Sequence, residues 1–264
     1  MLEAIVLGAI QGVFEWLPVS SEAMLVLAQI HLFGGQNASE LIAHALSLHI
    51  GTLFAGLVYF RKDIALLWKK VMSDYRQHSI GHVLSHGFSG FIITTTFITL
   101  VLGGSIYLLL QRYGGIFQGE HITFAVGIFL LITAFFLHQR KKGGIRENQN
   151  LHKKDSLIVG LGQACALLPG ISRSGTTVAL LLWRKFSAHE ALRISFIMGL
   201  PVVFLGGIIL LSSSTFSLNF LVSIVSAFVF GLATIHLLLK VAEKINFTYF
   251  VFGFGVLTVL ASFI

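Results

Sequence analysis

The chain is poor in cysteine, proline and charge. It holds one cysteine, Cys165, three prolines and only 11% charged residues in 264 positions. A single cysteine excludes an internal disulfide and a cysteine-rich metal site. In apolar sequence its simplest role is that of a small buried side chain. The shortage of charge excludes an ordinary soluble domain, which carries about 25% Asp, Glu, Lys and Arg. No cleavable leader is expected either. No basic stretch precedes the first apolar run, and that run leads into EWLPVSSE rather than a small-residue cleavage site. Two of the three prolines, Pro18 and Pro169, fall in matching contexts, LPVSSE and LPGISR.

What is present is apolar. Hydrophobic residues make up 55%, and the 27 glycines and 24 phenylalanines suit packed helices facing lipid. The apolar runs cover roughly 2–16, 22–33, 41–60, 88–110, 120–138, 156–168, 174–183, 190–211, 217–240 and 245–264. Six reach the roughly 20 residues that a helix needs to cross a bilayer. The other four are short and form two pairs, each joined by a polar Pro-Ser turn. A short helix, a polar turn and a second short helix predict a re-entrant hairpin whose tip is buried in protein.

The expected fold is therefore an all-α polytopic membrane protein of two inverted repeats, each a re-entrant hairpin plus three transmembrane helices. Three crossings are odd, so the second repeat starts on the opposite side from the first. Residues 1–139 form the first repeat, 140–155 a flexible cytoplasmic linker and 156–264 the second. LPVSSE (17–22) lies over LPGISR (168–173), and SLHIG (47–51) over SFIMG (195–199).

The net charge of +7 raises the question of nucleic acid, but the distribution answers it. In this topology the basic residues of 61–87 and 139–155, with Arg184, Lys185, Arg193, Lys240 and Lys244, share one side. Arg112 alone falls on the other. Basic loops mark the cytoplasm. The reading is a multi-pass plasma-membrane protein with both termini outside and no nucleic-acid partner. A homodimer is compatible with it.

Arg173 stands inside LLPGISRSGTT with no acidic neighbour. A charge at mid-membrane costs about 2.5–3.5 kcal/mol on insertion scales, so it marks function by default. Its guanidinium fork suits phosphate oxygens. Gly170 and Gly175 allow close backbone approach. Ser172, Ser174, Thr176 and Thr177 add hydroxyl donors, and a helix start adds partial positive charge. Together they describe an anion cradle. The competing reading is an ion pair with a glutamate across the hairpins. In the first hairpin, Gln11 and Glu15 are four apart, on one helix face, and Ser20, Ser21 and Glu22 follow at the turn. Such carboxylates bind a divalent cation, act as acid and base, or pair with the arginine. His49, in the first full span, is either a packing histidine or a further site residue.

EWLPVSS and PGISRSG, with the LHIGTLFA–YFRKD span, resemble the bacitracin-resistance type undecaprenyl pyrophosphate phosphatases over most of the chain. The resemblance implies a membrane enzyme that hydrolyses undecaprenyl pyrophosphate to the monophosphate, recycling the lipid carrier of cell-envelope synthesis. It matches Gln11 and Glu15 to the family's Glu/Gln-x-x-x-Glu motif and Ser21 to the proposed nucleophile. Ser172, Arg173, Ser174 and Thr177 match the pyrophosphate-binding motif. The first motif usually continues Ser-Ser-Thr-Gly-His, and here Met24 stands at the histidine. Many members carry Tyr-Arg where this chain has Gly253-Phe254. His49 falls where well-known members carry glutamine. Glu22, Glu15 and His49 are the candidates to replace the missing histidine.

The expected mechanism places both tips in a cavity open to the outer face. Arg173 and a divalent cation (Mg or Ca) near Gln11 and Glu15 stabilise the phosphoryl oxygens. Water or Ser21 attacks the terminal phosphorus. The alternative is a polyprenyl-phosphate flippase that uses the same cradle without hydrolysis.

Overall fold

The residues LEAIVLGAIQGVF contain no proline and no polar run, and they form helix α1 (Leu2–Phe14). The chain leaves that helix at Glu15, whose N–H still bonds the Gln11 carbonyl, and re-enters α2 (Ser21–Phe33). Later elements are α3 (His49–Tyr59), α4 (Arg61–Gln77), α5 (Gly87–Ile98) and, after a π-helical turn at Thr99–Gly103, α6 (Gly104–Tyr113). Beyond these come α7 (Lys153–Cys165), α8 (Arg173–Trp183), α9 (Ala188–Leu211), α10 (Leu218–Val241) and α11 (Phe247–Ala261). The computed structural model describes residues 1–17, 20–34, 48–77, 87–113, 124, 127–128, 131–132, 134–135, 138, 146–167, 171–211, 217–241, 244 and 247–261. Among them the only β contact is an isolated bridge between Arg146 and Phe186.

Both expected pairs of short helices are present, within a few residues of their expected limits. Three described helical stretches are long and apolar enough to cross a membrane: Gly87–Ile106, Ala188–Gly206 and Leu218–Val241. The architecture is that of an all-α membrane protein. The start of the expected 41–60 span and most of 120–138 lie outside the described residues, as do Pro18, Pro169 and Gly170.

Two stretches differ from expectation. The basic segment after Tyr59 is not a loop but a 17-residue helix, α4. Its apolar residues recur at helical spacing, which outweighs the local charge. The described part of the linker is tied down rather than flexible. Arg146 exchanges backbone hydrogen bonds with Lys185 and Ser187 and lies 4.4 Å over the Phe186 ring. Its guanidinium holds buried Asp155 at 2.7 Å, and Arg184 Nε holds the same carboxylate at 2.5 Å.

Small residues set the packing. Gly8 and Gly12, one turn apart on α1, face Ser223, Ala227 and Gly231 at the same spacing on α10. A Cβ at Gly12 would lie 2.6 Å from the Gly231 nitrogen, so only hydrogen fits. Close backbone approach of this kind is how helices associate without a hydrophobic driving force, and Ser226 Oγ adds a 2.8 Å bond to the Ile5 carbonyl. In the other hairpin, α7 packs on α5 and the π turn, where Gln163 Nε2 donates to Thr99 Oγ1 at 3.0 Å. Thus the first helix of each hairpin lies on the second span that follows the other hairpin. Trp16, just past Glu15, is buried edge-on to Phe196 of α9 at 5.0 Å. This contact fixes the first hairpin tip against α9.

Candidate active site

Glu15 is the centre of the site. It sits at the end of α1, and burial leaves it almost no contact with solvent. Its Oε2 accepts from Ser21 Oγ at 2.9 Å and from Gln11 Nε2 at 3.0 Å. His49 Nε2, at the first position of α3, lies 3.2 Å from the same oxygen. Its Oε1 accepts from Arg173 Nη2 at 2.6 Å. A carboxylate in a dry site needs such donors, because an unpaired charge there costs several kcal/mol.

Arg173 comes from the opposite hairpin, at the first position of α8. Ser172 caps that helix by accepting the Gly175 N–H at 3.1 Å, satisfying one of the N–H groups that a helix start leaves without a partner. Arg173 Nη1 reaches the Ser195 carbonyl at 3.5 Å, and the guanidinium lies against Gly199 of α9. Thr177 Oγ1 bonds the Arg173 carbonyl at 2.8 Å and Ser195 Oγ at 2.6 Å. Ser174 Oγ donates to the Leu17 carbonyl at 2.6 Å, so the second hairpin grips the first directly at its tip.

The sequence pointed to two hairpin tips sharing one site, and the Arg173–Glu15 contact joins them. Gln11, Glu15, Ser21, His49 and Arg173 converge. Ser172 and Ser174 lie beside them, with hydroxyls 3.3 Å apart. The acid facing Arg173 is Glu15, not Glu22, which the repeat alignment had set opposite the arginine. Glu22 is half-buried on the first turn of α2, within electrostatic reach of His49 and Glu15. Ser20 is buried, and its carbonyl accepts the Met24 N–H. Thr176 turns its methyl toward Gly162 of α7, and no described hydrogen bond ties its side chain to the cluster. Gly170 lies outside the described residues. Sequence reasoning missed Ser195 and Gly199, which seat the guanidinium. The one signal for them was the match of SFIMG to SLHIG.

The geometry offers a hydroxyl held on a carboxylate, a neighbouring cation, and a histidine and an amide that fix the carboxylate. That arrangement can move a proton from Ser21 to Glu15 and stabilise a phosphoryl anion at Arg173. A family model, the bacitracin resistance protein BacA, matches residues 4–260. The chain belongs to the BacA family. Relatives over nearly full length include undecaprenyl-diphosphatase of Methanococcoides burtonii, 40% identical over 99% of this chain and 98% of that protein. That of Syntrophotalea carbinolica is 36% identical over 92% and 90%. Undecaprenyl-diphosphatase 3 of Bacillus cereus is 32% identical over 99% and 97%. In this BacA-family chain, Met24 is half-buried one turn into α2, and among the described residues the histidine that touches the central carboxylate is His49.

Proposed function

We propose that the chain is an undecaprenyl-diphosphatase that cleaves the terminal phosphate of undecaprenyl pyrophosphate and returns the monophosphate carrier to cell-envelope synthesis. The names of its BacA-family relatives support hydrolysis and give no support to a flippase. The observation that carries the mechanism is the single carboxylate bonded on one oxygen to Ser21 and on the other to Arg173.

Before substrate arrives, Glu15 fills the anion-binding side of Arg173. The guanidinium carries five N–H donors, enough to keep Glu15 and still grip a phosphate. The Ser21 oxygen attacks the terminal phosphorus and gives its proton to Glu15 Oε2. The bond from that phosphorus to the bridging oxygen breaks, and undecaprenyl monophosphate leaves. Water then cleaves the phosphoserine, with Glu15 moving the proton in turn, and releases phosphate. Arg173 neutralises the phosphoryl oxygens throughout, the main requirement in phosphoryl transfer. His49 and Gln11 keep Glu15 Oε2 aimed at Ser21.

The divalent cation has a narrower place than expected. Both Glu15 oxygens are engaged, and of the two expected ligands Gln11 offers its Oε1, buried without a described hydrogen-bond partner. A carboxylate and an amide suit a hard cation but fall short of its six or more ligands. We propose that Mg or Ca is held mainly by the pyrophosphate itself.

The site's depth supports a membrane-embedded reaction. His49 and Tyr59 lie at the two ends of α3, as do Arg173 and Trp183 on α8. Each interval spans about 15 Å, half of the roughly 30 Å hydrocarbon core. We further propose the inverted-repeat layout, with the tips reached from the outer face. The reciprocal packing of α1 on α10 and of α7 on α5 supports it.

Phosphate release from undecaprenyl pyrophosphate by the purified protein tests this reading. Glu15→Gln and Ser21→Ala should each lose about 10²–10⁴-fold, and His49→Ala less than either. Glu22→Gln should change little, and a chelator should stop turnover until Mg or Ca is restored. No release by the wild type, with lipid-phosphate translocation in vesicles, would favour the flippase instead.

A further inference from the structure

Away from the active site, a groove of about 530 Å³ runs between α3 and α10. Val58, Phe228 and Leu232 form part of an apolar wall, and one end is polar, with Tyr59, Arg61 and His236. Tyr59 Oη lies 3.3 Å from His236 Nδ1. Arg61 is exposed, and its described side-chain hydrogen bond goes to the Val58 carbonyl at 2.9 Å, not to a carboxylate. The nearest acid along the chain, Asp63, is taken by Arg193. Lys240, one turn beyond His236, adds a second exposed cation at this end.

The adjoining helix locates this end against a membrane surface. α4 begins at Arg61, directly after Tyr59 and Phe60. Trp68 and Tyr75, seven residues apart on its apolar face, are 64% and 57% exposed. Lys62, Lys69 and Arg76 repeat at the same spacing and form a flanking basic stripe. Exposed aromatics beside a cationic stripe describe a helix lying in the interface with anionic headgroups beneath its charges.

From this groove we infer a binding site for one anionic phospholipid. An acyl chain lies along Val58, Phe228 and Leu232, and the phosphate sits on Arg61 with Tyr59 and His236 beside it. α4 holds that end level with the headgroups. A zwitterionic lipid of equal chain length fills the same wall but gains less from Arg61 and Lys240, because its own ammonium offsets the phosphate.

The site can be tested with protein in neutral detergent given equal amounts of dioleoyl phosphatidylglycerol and dioleoyl phosphatidylcholine, counting retained lipid by native mass spectrometry. The expected result is one retained phosphatidylglycerol, favoured over phosphatidylcholine. Arg61→Gln should lower that preference about fivefold, a single cation's share, without changing phosphatidylcholine. Leu232→Trp should lower both. Arg61 is a surface residue, so its variant decides the matter even if Leu232→Trp misfolds. Equal retention of the two lipids would overturn the site. So would a preference that survives Arg61→Gln but is lost in Lys69→Gln, which would assign it to the basic stripe of α4 and not to the groove.

Discussion

Gly199 carries no functional group, yet an added Cβ there would overlap the Arg173 guanidinium. The Ser195 carbonyl, one turn earlier on α9, accepts from Nη1 of the same guanidinium, so this face of α9 seats the arginine. A displacement of about 1 Å in a catalytic group costs on the order of 100-fold in rate. Gly199→Ala should therefore lower turnover about 100-fold while the protein still inserts and elutes normally. Turnover near wild type would mean that the guanidinium is free to shift. Arg173 was legible in the sequence because a charge within apolar residues needs a reason, and Ser21 and Glu15 were legible by motif. Gly199 was not, since a residue that acts by leaving space gives no chemical signal. Nor could the sequence choose between Glu15 and Glu22. Six residues separate α1 from α2, and a stretch of that length can bring either carboxylate to the arginine.

Among the elements, the hairpins were the most legible, because length and the Pro-Ser turns separate them from full spans. The linker and α4 were less legible. Charge and glycine suggested loops, but buried Asp155 organises one stretch and helical periodicity the other. Burial works against the charged form of Asp155, yet hydrogen bonds from Arg146, Arg184 and the His152 N–H outweigh it and hold its carboxyl below the ordinary value of 3.8. A carboxylate depressed in the folded state stabilises the fold fully above its unfolded value. That contribution is lost as pH falls through the lower, folded value. Thermal stability in detergent should thus hold at neutral pH and fall below about pH 4. Asp155→Asn should lower stability by about 2 kcal/mol at pH 7 and flatten the acid side of the profile. An unchanged profile would show that α7 and α8 are held together without this carboxylate.

Across the whole molecule, contacts tie three of the basic residues that the sequence assigned to one side to buried or half-buried acids. Arg193 bridges Asp63 and Glu190, whose carboxylate accepts the Asn148 N–H. Arg146 and Arg184 share Asp155, and Tyr59 meets His236. In a Cys165→Ala background, Lys69→Cys should resist a membrane-impermeant maleimide in intact cells while Arg112→Cys reacts. The reverse pattern would invert the proposed orientation. The claim on which the rest depends is that the two hairpin tips form one hydrolytic site. Its most direct test is phosphate release from undecaprenyl pyrophosphate by purified Arg173→Ala beside the wild type. Loss of about 10³-fold or more, with unchanged elution, is the predicted result. A rate within tenfold of wild type would contradict it.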